Sequence, residues 1–272
     1  MDTAVRRITF AFVAALLFLP MDSVSAEDEN LFPATAAPAR EETLAYKFEL
    51  KRENTNKGQQ GETTKTILRL EHDPGGAVSL LRLDVPFVDK NKSFGGDLAS
   101  QGLGDIKVRV GVRRIPFWSS VDLSGFVEAI FPTASPKDLG SGMYQVAPGV
   151  KFTVPVYPGP GTSSTHDVVT SAEVQQYLSL GGFDGFKNIN YTKFDFQLKD
   201  VWRKKYWAIL KLKPVIDWEQ DGRTGGTAEV EIGWFINRRW SLYVSYTNSL
   251  PDGNHVPGTC DKRVTLDVAY RF

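Results

Sequence analysis

The sequence predicts an all-β chain, an antiparallel up-and-down transmembrane β-barrel of about twelve strands. Three observations carry this expectation. Segments that alternate apolar and polar residues recur from residue 44 to the end. The last of them closes on an aromatic residue, and the chain opens on an export signal.

In the last segment Val264, Leu266, Val268, Tyr270 and Phe272 share one face, because strand side chains alternate. A soluble edge strand rarely ends on an aromatic lined up with four more apolar residues. On a lipid-facing strand the apolar side chains meet hydrocarbon and the aromatic suits the headgroup boundary. A terminal aromatic on the final strand also resembles the signal by which bacterial outer-membrane barrels are recognised. Outer-membrane lipid and the barrel assembly machinery are therefore the expected partners.

At the other end, residues 1–26 read as a cleavable signal peptide. Arg6 and Arg7 precede the apolar run Ile8 to Leu19, and Val24-Ser25-Ala26 supplies small residues for cleavage before Glu27. The run rises only ~18 Å as helix, against a hydrocarbon core of ~30 Å, so export is favoured over anchoring. The cleavage region holds no Cys that could carry a lipid. Residues 27–43 are acidic and Ala/Pro-rich without apolar period, and read as a disordered periplasmic lead-in, with a plug or docking segment as the alternative. Residues 44–272 are left for one barrel domain.

Composition excludes several classes. Lys+Arg and Asp+Glu each number 32, which argues against a nucleic-acid partner and against a strongly ion-selective interior. No stretch is long and apolar enough for a spanning helix. The single Cys, Cys260, rules out a disulfide framework within the chain and reads as an incidental thiol.

Taken in order, Leu44, Tyr46, Phe48 and Leu50 share a face opposite Lys47 and Glu49. Thr66, Leu68 and Leu70 follow, then Leu81, Leu83, Val85 and Phe87. Ile106, Val108, Val110 and Val112 lie against Asp105, Lys107 and Arg109, and Val121, Leu123, Gly125 and Val127 against Asp122 and Glu128. Val146, Val150, Phe152 and Val154 oppose Gln145, Lys151 and Thr153. Residues 168–180 fit a strand or a short helix. Phe194, Phe196 and Leu198 oppose Lys193, Asp195 and Lys199; Ala208, Leu210, Leu212 and Ile216 oppose Lys211, Lys213 and Asp217. Val230, Ile232 and Trp234 oppose Glu229 and Glu231, and Trp240, Leu242, Val244 and Tyr246 form the penultimate strand.

The connections separate a membrane barrel from a soluble sandwich. Odd turns, at 52–62, 89–101, 133–143, 181–188, 219–225 and 249–260, are mostly long and polar. Even turns, at 73–77, 114–119, 202–204 and 237–238, are short, with 157–167 the exception. Short periplasmic turns and longer outer loops give this asymmetry, with both termini on the periplasmic side. One inner face would hold Lys107, Arg109, Asp122, Glu128, Lys151, Lys193, Asp195, Lys199, Lys211, Lys213, Asp217, Glu229, Glu231, Arg263, Asp267 and Arg271. Such charges are too costly to bury dry and unpaired, so the lumen must be hydrated or its charges closely paired. Lys211 and Lys213 either help set a weak ion selectivity or only bridge Glu229 and Glu231 across strands. The loop 133–143 is the expected constriction.

Gly102-Leu103-Gly104-Asp105 opens the fourth strand in this reading. Phe131-Pro132-Thr133-Ala134, then Leu139-Gly140-Ser141-Gly142 and Tyr144 to Val150 follow it, with Leu83 to Val88 upstream and Tyr270-Arg271-Phe272 at the close. Over 80–155 this order resembles the outer-membrane family named for the MetA pathway of phenol degradation. The resemblance implies a Gram-negative outer-membrane location and porin-like passage of small solutes, with aromatic or other apolar ones suggested by the family name. The alternatives are a closed structural or ligand-binding barrel and, less supported, a lipid-modifying barrel enzyme.

No enzymatic activity, cofactor or metal is expected. His72 precedes a turn and reads as solvated, His255 as an exposed loop residue. Ser164, His166 and Asp167 lie in a Gly/Pro-bordered turn, where adjacent residues cannot form a nucleophile relay without special loop geometry. No pair of His residues has ligand spacing, and Gly102-Leu103-Gly104 lacks the strand-to-helix setting of a dinucleotide fingerprint.

Overall fold

The computed structural model describes residues 46–56, 62–75, 77–91, 100–112, 115–118, 121–157, 166–250 and 256–272. The expected signal peptide and lead-in lie outside them. All hydrogen-bonded strand segments join one antiparallel sheet. We number the strands β1 (Tyr46–Thr55), β2 (Glu62–His72) and β3 (Val78–Asn91), with β4 in three pieces, Ser100–Leu103, Ile106–Val112 and Ile115–Trp118. Then come β5 (Val121–Phe131), β6 (Met143–Tyr157), β7 (His166–Gly182) and β8 (Asn190–Trp202). The wall is completed by β9 (Tyr206–Asp217), β10 (Arg223–Phe235), β11 (Trp240–Ser249) and β12 (Lys262–Arg271).

Each strand pairs with its neighbours in the chain, and β1 pairs with β12 from Lys47↔Arg271 to Thr55↔Arg263. This last ladder closes the sheet into a barrel of 12 strands. Closure leaves no edge whose N–H and C=O groups would go unpaired in hydrocarbon. The seam is completed by Tyr46 and Phe272, whose backbones exchange bonds of 3.1 and 3.0 Å. Among the described residues no helix is long and apolar enough to cross a membrane.

Alternation sets the two faces. Val230, Ile232, Val244, Leu210 and Leu266 are exposed, whereas Glu229, Glu231, Ser245, Thr265 and Asp267, between or opposite them, are buried. This inverts a soluble protein: the apolar face points out and the charged face in. An outer surface of this kind is a hydrocarbon-facing one. At the end carrying the termini, Tyr46, His72, Trp240, Tyr270 and Phe272 form a belt in which Tyr46 stacks on His72 at 4.2 Å and Trp240 packs on Tyr270 at 4.7 Å. At the loop end Phe87, Phe131, Tyr144 and Trp218 are exposed. Aromatic girdles at both rims match the two headgroup regions.

Residues 168–180, which fit a strand or a short helix, lie within the strand β7. Three local features differ from the sequence reading. Gly104-Asp105 interrupts β4 where the sequence suggested that it opens the strand, because Asp105 turns to accept bonds from Ser141 N (2.6 Å) and Oγ (2.7 Å). Residues 115–118, expected in a turn, pair with β5 as the last piece of β4. His72 is packed on the outer aromatic belt, not simply solvated.

Candidate functional site

The interior wall is where the chain places its chemistry. Register brings Glu49, Arg69, Asp84 and Lys107 opposite one another across β1 to β4. Arg69 grips Asp84 with two bonds of 2.7 and 2.8 Å and reaches Glu49 at 3.2 Å. The two-bond fork fixes both side chains, as guanidinium–carboxylate pairs do. One row nearer the terminus end, Arg82 bonds Glu71 at 2.7 Å, and Lys47 pairs with both Glu49 and Glu71.

A second group is built around Arg109. It pairs with Glu128 at 2.9 Å, reaches Gln175 at 3.4 Å and lies 3.7 Å from Glu173, so it spans from β4 to β7 past β6. The side chains opposite make that reach possible, since β6 presents only Ala147 and Gly149 there. Gly149 is required: a Cβ on it would stand 2.4 Å from the Phe126 ring, and Arg109 lies over that ring at 4.2 Å. Tyr177 donates to Gln175 at 2.9 Å and stacks on Tyr191 at 4.4 Å. Ile130, Ala147 and Tyr177 form a small buried apolar cluster beside them.

The third group joins β9 and β10. Lys211 bonds Glu229 at 2.8 Å and Glu231 at 2.6 Å, and Lys213 bonds Glu229 at 2.5 Å. Of the two readings open at the sequence level, cross-strand bridging is what the geometry shows for these lysines. Trp207 donates its indole N–H to Glu231 at 2.8 Å and lies across Gly233, where a Cβ would be 2.0 Å from the ring. Phe235 packs tilted against Trp207 at 4.5 Å, with Arg271 5.7 Å above Phe235.

The remaining inner positions are unequal. Asp195 accepts a bond from Gln197 at 3.1 Å, and Asp217 caps the turn after β9 through Glu219 N at 3.0 Å. Arg263 bonds Thr55 at 3.2 Å, and Asp267, 1% exposed, lies between Lys51 and Tyr243 in register. Asp122 sits at the terminus end of β5, opposite Thr153. Lys107, Lys151, Lys193 and Lys199 are half-buried, and among the described residues none has a carboxylate in an ion pair.

Arg69, Asp84, Arg82, Glu71 and Gln175 are interior groups that the sequence reading did not single out. For three of them the signal was present: Arg69 lies between Leu68 and Leu70, Arg82 between Leu81 and Leu83, and Asp84 between Leu83 and Val85. The loop between β5 and β6 folds inward. Asp138 is held by Lys90 through its carbonyl and by Ser100 at 2.6 Å, and Ser141 by Asp105 and by Gln145 at 2.8 Å. All four anchors stand on the inner face, so residues 138–141 line the loop-end mouth. Cys260 is buried at the same mouth. The side chain of His166, and residues 163–165 and 255, lie outside the described ones. Among the described residues no group of three or more His, Cys, Asp or Glu could hold a metal ion.

No model of a known protein family matches the chain, and no curated protein does. Solved structures of similar fold are outer-membrane barrels. An outer-membrane channel from Pseudomonas putida F1 superposes with a TM-score of 0.58 at 14% identity, covering 84% of this chain and 95% of that one. The KdgM porin, solved in complex with disordered oligogalacturonate, gives 0.53 at 12% identity over 83% of this chain and 99% of its own. The NanC porin gives 0.50 at 8% identity, over 83% and 98%. At such identities the likeness is one of fold.

Proposed function

We propose that the protein is an outer-membrane channel for the passive passage of small solutes. The carrying observation is the inverted wall, apolar where it meets lipid and charged within, with half-buried lysine side chains along its inner face. A structure that only needed to fill its interior would reach neutrality by pairing every charge or using none. Unpaired lysines with water-accessible surface are consistent with a hydrated path. The fold shared with porins and an outer-membrane channel supports the same reading, as does the resemblance to the phenol-degradation family over 80–155. That family reading favours small aromatic solutes, and Phe126, half-buried on the inner face, is an aromatic side chain within reach of the path.

A closed structural or ligand-binding barrel is the second reading. It is favoured by the side of the wall formed by β10 to β12, where Thr247 and Thr265 are each only 2% exposed. A swelling assay separates the two. Liposomes holding the refolded protein are placed in isotonic small sugars, amino acids and benzoate. Swelling that falls steeply with solute size supports a narrow channel; no swelling with any solute supports the closed barrel.

A further inference from the structure

We infer that the interior carries an anion track formed by Lys65, Lys107, Lys193, Lys151 and Lys199, and that the solutes favoured are small anions. This rests on the channel reading and adds the charge of what passes. Several inner cations are neutralised locally, Lys211 by Glu229 and Glu231, Lys213 by Glu229, Arg69 by Asp84, Arg82 by Glu71. The five lysines differ for a reason visible in the register. Lys107 is opposite Asp84, but that carboxylate is held by both arms of Arg69. Lys65 is opposite Glu53, which Lys51 holds at 2.9 Å. Lys151 is opposite Glu173, which faces Arg109 at 3.7 Å. Lys193 is opposite Gln175 and Val215, and Lys199 opposite Val169 and Ile209, so neither has a carboxylate directly opposite. Asp195 and Glu173 lie within electrostatic range of Lys193, and Glu231 of Lys199, without pairing.

The five are ordered along the axis. Lys65 and Lys193 stand a few residues inside the loop end of β2 and β8, and Lys107 lies within electrostatic range of both. Lys199 stands near the terminus end of β8, within range of Glu231 and of the cations Arg271, Lys151 and Lys47. An anion entering at the loops meets one group of lysines and then the other. Weak binding at successive sites is what conduction needs, since one tight site would trap the solute. Low-dielectric walls focus the field of these charges on the path.

The test measures reversal potentials of the refolded mature protein in planar bilayers under a KCl gradient, with chloride as the probe anion. The wild type should pass chloride in preference to potassium. Lys107→Gln with Lys193→Gln, and separately Lys151→Gln with Lys199→Gln, should each lower the chloride-to-potassium permeability ratio by about two-fold or more. Removing a whole pair, Glu71→Gln with Arg82→Gln, should leave the ratio unchanged. Heat-dependent gel mobility checks that each variant is folded, and single Lys→Met changes replace any double variant that is not. A wild-type ratio at or below one, or ratios unmoved in folded, conducting lysine variants, overturns the anion track and leaves the channel. A wild type that never conducts overturns the channel reading itself.

Discussion

Lys211 has two carboxylates and Lys107 has none, though both are inner-face lysines of one barrel. Removing Lys211 as Met leaves Glu229 and Glu231 facing each other with one cation fewer, and should cost about 3 kcal/mol. Lys107→Met deletes a charge that nothing pairs and should cost below about 1 kcal/mol. Urea unfolding from phospholipid vesicles measures both; equal costs would mean that the pairs seen here do not hold in solution. Cys260, in the loop after β11, makes a separate test. Burial, the largest influence, pushes its thiol above the usual cysteine range, with nearby Arg263 opposing. Less thiolate is then present at any given pH, so iodoacetamide should modify Cys260 more slowly than a free cysteine, with its rate climbing at higher pH. A rate profile like that of free cysteine would show the loop to be open.

At the scale of strands, glycines under aromatic rings are the tightest constraint. Gly233→Ala would drive a Cβ into the Trp207 ring and so disturb the Trp207–Glu231 bond; a loss of about 1–3 kcal/mol in the same assay is expected. The faces make a second prediction. Val230→Arg puts a charge on the outer wall and should cost about 2–4 kcal/mol near the midplane. Thr153→Arg, inward and half-buried, should cost less. Ser245, also inward, is too enclosed at 3% exposure to serve as the comparison. Most strands were legible because alternation is a local property, and the Lys211–Glu229–Glu231 bridge was legible because its members lie on the same face of adjacent strands. The break in β4 was not: Asp105 finds its partner Ser141 across a connection 36 residues long. Nor was the reach of Arg109 to Gln175, which depends on β6 presenting Ala147 and Gly149 at that level.

For the whole molecule, the count of strands and the inward charged face followed from the pattern of the chain, while the split between paired and unpaired inner cations did not. Net charge is zero in the sequence, yet the interior holds paired cations and unpaired lysines on the same strands, as Arg109 and Lys107 on β4 show. That difference comes from which carboxylate each cation meets first, which only the closed register decides. The account stands or falls on whether this wall encloses a path for ions. Single-channel recording of the refolded mature protein in planar bilayers tests this most directly. It should show discrete steps of small conductance, as a narrow lumen lined by long side chains requires. Folded, heat-modifiable protein that inserts and remains electrically silent would contradict it.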